Sequence, residues 1–179
     1  MSARLRRARE DESGFTLTEL LVVIVIIGIL AAVAVPLYIN QQARARDSAA
    51  QTDVSGIGRE IQTQLVTGDP TKIRVGMKFD SGDPVNYWIA ESDSVAVDDA
   101  EDLGAVSGTV KLLNGDGNAV TAGEKVALVP HPNEGGTVNQ HNWCVNVRTD
   151  AGKEKDYRYS AQRGLEPGKC QPAAATPTP

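Results

Sequence analysis

The sequence contains few of the residues from which catalytic and metal sites are usually built. Its 179 residues include only two cysteines and two histidines. His131, His141 and Cys144 could ligate a metal, but lone histidines in a polar loop are more often simply exposed. Cys144 has a better partner in Cys170. With no Ser-His-Asp order, phosphate-binding loop or supported pair of catalytic carboxylates, the sequence predicts no enzyme, no metal and no cofactor.

The chain also lacks an excess of basic residues. Its formal net charge is −5, with 18 lysines and arginines against 23 aspartates and glutamates. Because bulk nucleic-acid binding needs a basic stripe, we expect none. Four arginines nevertheless lie among the first ten residues. Basic flanks stay on the cytoplasmic side of a membrane, so the part of the chain beyond a membrane span is expected to face outward.

One long apolar run near the beginning dominates the sequence. Residues 20–39 carry no charge. At about 1.5 Å per residue, such a helix spans about 30 Å, the thickness of a bilayer's hydrocarbon core. Glu19 lies at the start of the run, where a carboxylate is costly to bury and is by default a candidate functional residue. We therefore predict a membrane-spanning helix segment over residues 15–39.

The pattern changes to an amphipathic one over residues 40–67. One apolar stripe recurs at helical spacing, although Gly56 and Gly58 each weaken the helix by up to about 1 kcal/mol relative to alanine. Residues 68–70, Gly-Asp-Pro, are a stop signal. We therefore predict one continuous helix over residues 15–66, whose second half packs on a globular domain. The stripe consists of Ala43, Ala50, Val54, Ile57, Ile61 and Leu65.

Beyond Pro70 the sequence favours strands and turns. The resulting prediction is an α+β fold, with a small antiparallel sheet over residues 68–170 packed on the helix stripe. The alternating Asn114, Asp116 and Asn118 imitate part of a calcium loop, but the distal glutamate is absent at the required offset, so a turn is expected. The acidic residues at 98–102 are expected in a solvated loop, and residues 171–179 in a disordered tail. The predicted strands are 73–79, 85–90, 106–113, 125–129, 143–148 and 156–160.

Residues 14–19, Gly-Phe-Thr-Leu-Thr-Glu, followed by the apolar run, resemble the N-terminal segment of type IV pilins and their relatives. The resemblance covers residues 13–65. It implies that a prepilin peptidase removes the leader, residues 1–14, by cutting between Gly14 and Phe15, and that Phe15 becomes the N-methylated first residue. It also implies that the α-amino group of Phe15 pairs with Glu19 during assembly.

The same resemblance implies a life history and a set of partners. The precursor would cross the cytoplasmic membrane once with its head outside, and would then join an extracellular pilus. Its partners would be other pilin subunits, with minor pilins among them, and a membrane platform with an assembly ATPase. Related pilins lose helix between a glycine and a proline in the filament, and Gly28 and Pro36 match those positions.

Two alternatives remain open at this point. A pseudopilin of a type II secretion or DNA-uptake machine would have the same N-terminus. A secreted soluble binding protein would instead be cut after Ala34, where residues 32–34 form an A-x-A site. With an export signal upstream, one disulfide between Cys144 and Cys170 is the natural interpretation, and two free thiols in a reducing compartment are the rival.

Overall fold

A computed structural model describes residues 15–134 and 136–170 of the chain. The predicted leader, including Gly14, and the predicted tail, residues 171–179, lie outside the described residues. The chain divides into two compact units, one up to Gln41 and one from Gln42 onward. The elements are α1 (Leu17–Gln64), β1 (Arg74–Asp80), β2 (Asp83–Ala90), β3 (Glu101–Ala105), β4 (Val110–Leu112), β5 (Val126–Ala127), β6 (Val129–Pro130), β7 (Trp143–Thr149), β8 (Asp156–Ser160) and β9 (Gly164–Pro167).

The long helix has the extent that the sequence predicts, to within two residues at each end. It is 48 residues long and runs without interruption through Pro36. The helix ends at Gln64, four residues before Gly68. The N–H of Gly68 donates to the carbonyl of Gln64 at 2.9 Å. This bond satisfies one of the carbonyls that a helix end leaves without an intrahelical partner.

The apolar stripe on the second half of α1 forms one side of the core. Its buried members face both β-sheets, and Val54 and Ile61 are completely inaccessible to solvent. Ala43, at the beginning of the stripe, is only half-buried. The α+β architecture predicted from the sequence is therefore confirmed. The other buried stripe residues are Ala50, Ile57 and Leu65.

Two aspartates of α1 tie this half of the helix to distant loops. Asp47 is buried, and its Oδ2 accepts a 2.8 Å bond from the N–H of Lys153. Asp53 accepts bonds from the hydroxyl of Tyr87 (2.9 Å) and the N–H of Ser107 (2.9 Å). Hydrogen bonds to charged groups are worth about 1.5–3 kcal/mol each, so the two carboxylates stabilise the docking of the helix.

The sheet strands lie in two antiparallel sheets. The first has the order β3-β2-β1-β5, and the second has the order β4-β7-β8-β9 with β6 pairing to β7. Three consecutive residues of β1 are buried, although the sequence predicts alternation there. The reason is Trp88 of β2, whose ring covers the outer face: a Cβ at Gly76 would lie 2.2 Å from its Cζ2.

Two strand predictions and one loop prediction need correction. The expected strand 125–129 divides into β5 and β6, because Val126 pairs with β1 in one sheet and Val129 pairs with β7 in the other. The expected strand 106–113 shortens to β4, because residues 107–110 form a turn held by the bond from Val110 N–H to the Ser107 carbonyl. The acidic segment at 98–102 is a loop only in part, since Glu101 begins β3.

Candidate functional site

The first turn of α1 is built by Thr16 and Glu19. The N–H and Oγ1 of Thr16 both donate to Glu19 Oε2 at 2.8 Å, and the N–H of Glu19 donates to Thr16 Oγ1 at 3.3 Å. This reciprocal pattern is a capping box, with Thr16 at the N-cap position and Glu19 three residues later. Capping is a role of Glu19 in addition to the one expected from its charge, and the spacing Thr-x-x-Glu is its signal in the sequence.

The carboxylate of Glu19 keeps capacity for a further partner. Both bonds from Thr16 go to Oε2, and within residues 15–134 and 136–170 no hydrogen bond to Oε1 is found. The side chain is exposed, as is Phe15, which is 89% accessible and directly precedes the capping residue. The structure therefore places Phe15 and Glu19 at the same end of α1, one helical turn apart in sequence.

The apolar half of α1 is exposed along its whole length. Every side chain of residues 20–39 is exposed within the structure. By length and composition, α1 is the one helix in the described part of the chain that could cross a membrane. Contiguous apolar patches larger than a few hundred Å² are rare on monomeric soluble proteins and mark surfaces that contact lipid or protein.

Gly28 and Pro36 both lie inside this exposed half. A Cβ at Gly28 would meet nothing within 4 Å. Packing within the chain therefore does not require glycine there. Pro36 has no N–H, so the carbonyl of Ala32 lacks its usual donor four residues later. In this chain the helix is continuous across both positions.

A disulfide closes the head domain, the globular part of the chain over residues 68–170. Cys144 of β7 and Cys170 are joined, and both are buried. Nearby, Arg158 of β8 donates to Glu166 of β9 at 3.2 Å and to the carbonyl of Lys169 at 2.8 Å. The disulfide and the arginine thus hold the last described segment against the second sheet.

His131 does not lie where the sequence predicts. It is 3% exposed, its Nδ1 accepts from the N–H of Asn133, and its Nε2 lies 3.3 Å from Glu166 Oε2. Partial burial raises the pKa of Glu166, but the hydrogen bonds from His131 and Arg158 and the nearby arginine charges outweigh it, so the pKa is below its usual range. His141 is exposed, as expected.

The asparagine-rich turn is held by its own side chains. Asn114 Oδ1 accepts from the N–H groups of Asp116 (3.1 Å) and Asn118 (3.0 Å), and Asn114 Nδ2 donates to Glu124 (2.8 Å). The bonds from Asn114 and Thr121 hold the pKa of Glu124 below its usual value. Among the described residues, no group of three or more histidine, cysteine, aspartate or glutamate side chains is arranged to hold a metal ion.

Comparison with known proteins finds similarity over part of the chain. Residues 10–35 match the family model of the prokaryotic N-terminal methylation motif. The chain is 46% identical over 54 residues to the type IV major pilin protein PilA of Myxococcus xanthus, which is 30% of this chain and 24% of that protein. It is 43% identical over 61 residues to the type IV major fimbrial protein FimA of Dichelobacter nodosus, 34% of this chain and 39% of the other.

A secretion-system protein is similar to the same degree. The type II secretion system core protein G of Pseudomonas aeruginosa is 45% identical over 53 residues, 30% of this chain and 37% of that protein. The chain thus spans about a quarter to two-fifths of the length of these relatives. No solved structure matches it. The chain is thus similar to type IV major pilin and fimbrial proteins, and to a type II secretion core protein, over about a third of its length, and its N-terminal residues 10–35 match the methylation motif.

Proposed function

We propose that this chain is the structural subunit of a type IV pilus. The observation that carries the proposal is the exposed apolar half of α1, headed by the Thr16–Glu19 capping box and matching the methylation motif. Twenty consecutive apolar residues without a cover need lipid or other copies of the same helix around them. Burial of apolar surface contributes about 25 cal/mol per Å², so a bundle of such helices is a strong filament core.

Two successive environments would cover this helix half. The precursor resides in the cytoplasmic membrane as a single-pass protein with its head outside, and the assembled subunit resides in an extracellular pilus. The uncharged length of the run supports the first environment, since 20 residues span a bilayer. The PilA and FimA relatives, which are named as pilus and fimbrial proteins, support the second.

Processing would create the group that Glu19 binds. A prepilin peptidase cuts after Gly14, and Phe15 becomes the methylated first residue. Its α-amino group is then a cation near the apolar run, and the free Oε1 of Glu19 in the same or a neighbouring subunit accepts it. An opposite charge relieves the cost of a carboxylate in hydrocarbon and fixes the register between subunits.

Assembly of this kind needs further partners. They are other pilin subunits, including minor pilins, and a membrane platform driven by an assembly ATPase. A pseudopilin of a secretion machine is the second candidate function. The similarity to the type II secretion core protein G favours it specifically, because its 45% identity over 53 residues is close to the identity and matched length of the pilin relatives.

One experiment on the native host separates these functions. Sheared surface material is imaged by electron microscopy, and its main protein is sequenced from the N-terminus. Abundant filaments with Phe15 first support the pilus subunit. Phe15 first without surface filaments supports the pseudopilin, and Val35 first supports a secreted protein. Gly14→Val is the matched control, since an uncut precursor is expected to stay in the membrane and to give no filaments.

A further inference from the structure

On the second half of α1 the fully exposed charged residues are Arg44 and Arg59, while Glu60 is half-buried. Both aspartates of this helix half, Asp47 and Asp53, are turned toward the head and hydrogen-bonded there. Arg44 is exposed, and among the ion pairs of the described residues none involves it. The helix therefore presents an uncompensated cation on a face that no other part of the described chain covers.

The head carries the opposite charge on one sheet edge. Residues 79–110 contain eight aspartates and glutamates and no lysine, arginine or histidine. Four of the eight lie together at the exposed edge strand β3 and just before it. We call them the acidic edge, and they are Asp98, Asp99, Glu101 and Asp102.

Arg44 cannot reach the acidic edge of its own chain. Gln64 at the end of α1 donates a 2.7 Å bond to Glu101 of the acidic edge. The acidic edge therefore lies beside Gln64, both in height along the helix axis and in direction around it. Arg44 is 20 residues earlier, so it lies about 30 Å lower along the helix and about 160° around it from Gln64. The two charged regions therefore lie on opposite flanks and at different heights.

Complementary patches in this arrangement join copies head to tail. A contact between two different surfaces of the same chain is heterologous, and unless its rotation closes a ring it generates an open helical filament. We propose that Arg44 of one copy binds the acidic edge of a neighbouring copy whose α1 lies alongside, shifted by about 30 Å along the helix axis. This contact rests on the proposed filament function and supplies a register outside the apolar helix core.

An anionic lipid surface is the rival occupant. Arg44 follows the apolar run by five residues, within reach of headgroups. The acidic edge favours a second copy for two reasons. Its negative charge is complementary to Arg44, and its distance from Arg44 along the helix axis matches the shift between copies in a staggered assembly. If Arg44 binds lipid, the acidic edge has no role in the contact. Reversing the charge of the acidic edge then cannot restore what reversing the charge of Arg44 removes, whereas it can if Arg44 binds a second copy.

Charge reversal on the full-length chain in its filament-forming host tests the contact. Asp98 and Asp99 suit the reversal, since no side-chain hydrogen bond to either is found in the described part of the chain. Arg44→Glu alone, and Asp98→Lys with Asp99→Lys, are each expected to lower the yield of sheared filaments by about fivefold or more, because like charges then face each other. Combining the three substitutions is expected to restore the yield to within about twofold.

Arg46→Glu is the matched control. Arg46 is 18 residues, or five turns, before Gln64, so it lies on the same flank as the acidic edge and away from Arg44. Its reversal is expected to leave the filament yield unchanged. Immunoblots of the membrane fraction verify that each precursor accumulates equally.

Several results would overturn the proposal while leaving the pilus function intact. They are a normal yield with Arg44→Glu, a triple variant as poor as the single one, or reduced membrane retention of Arg44→Glu without rescue, which is the lipid outcome. Rescue of the lysine pair by Arg59→Glu instead of Arg44→Glu would imply a shift of about 7.5 Å and contradict the register. If the wild-type host makes no filaments, the proposed function itself fails.

Discussion

The ring of Tyr159 in β8 lies directly against the backbone of Gly58 in α1. A Cβ at Gly58 would come within 2.2 Å of Tyr159 Cδ1. The same ring stacks on Trp143 of β7 at a centroid distance of 6.1 Å and an interplanar angle of 20°. Glycine at position 58 thus lets the helix approach the second sheet closely, and its low helix propensity is offset by that contact.

We expect Gly58→Ala to destabilise the head domain by about 1–3 kcal/mol, because the added methyl group must displace a stacked ring. Gly56 provides the control, since a Cβ there meets nothing within 4 Å. Gly56→Ala should stabilise by up to about 1 kcal/mol through helix propensity. Urea unfolding of the detergent-solubilised chain measures both, and equal changes in the two variants would contradict the close packing.

The disulfide should contribute strongly to stability. Cys144 and Cys170 are 26 residues apart, and closing a loop of that length stabilises by about 3.5 kcal/mol in the loop-entropy model. Replacing both cysteines by serine is expected to lower the unfolding free energy by an amount of that order. A thiol assay on denatured, unreduced protein should find no free thiol. Two titratable thiols would show that the bridge is absent from the cell-made protein.

Tyr87 should make the protein sensitive to alkali. Burial and the adjacent Asp53 carboxylate raise the pKa of its hydroxyl well above the ordinary value of 10.0. The unfolded chain releases this proton near pH 10 and the folded chain keeps it. The stabilising contribution is therefore complete below pH 10 and falls by about 1.4 kcal/mol per pH unit above it. Urea unfolding from pH 8 to 11 should show a shallower decline for Tyr87→Phe than for the wild type.

Elements with a strong local pattern could be predicted from the sequence. The stripe of α1 and its stop at Gly68 are visible in residue spacing alone. The strand predicted at residues 156–160 coincides with β8, because turn-forming residues bound it on one side and alternation marks it. The Thr-x-x-Glu spacing also signals the capping role of Glu19, whereas the position of Glu19 beside the apolar run signals only the importance of its charge.

Features that depend on distant partners could not be predicted in this way. β9 has no alternating pattern and exists because β8 lies beside it. His131 is buried because Glu166, 35 residues later, and the N–H of Asn133 satisfy its ring. The division of residues 125–129 between two sheets is likewise set by the partners β1 and β7. Local composition carries no information about such long-range pairings.

The two roles of Glu19 can be separated by substitution. Glutamine at the third position still completes a capping box, but it carries no charge. If Glu19 pairs with the α-amino group of Phe15, both Glu19→Gln and Glu19→Ala should be processed and stable in the membrane yet fail to assemble. Electron microscopy of sheared material measures this. Normal filaments with glutamine and none with alanine would show that capping alone matters.

The segment between Gly28 and Pro36 should change conformation on assembly. In the isolated chain the helix is continuous there. Glycine costs a helix about 1 kcal/mol and proline about 3 kcal/mol, so residues 29–35 are its weakest part. In a membrane, unpaired backbone groups are expensive and the helix is retained. In a filament, neighbouring helices crowd this segment, and we expect it to extend from about 1.5 to about 3.3 Å per residue, which would make the pilus stretchable.

A filament map at side-chain resolution tests this expectation. Residues 29–35 should be extended, and Pro36→Ala with Gly28→Ala should keep them helical, since both weak points are then removed. Gly28→Ala meets no steric obstacle within the chain, because a Cβ there has open space around it. Filaments of the double variant should therefore stretch less under the same force. Unbroken helix from residue 15 to residue 65 in the wild-type filament would contradict the transition and leave a static proline site.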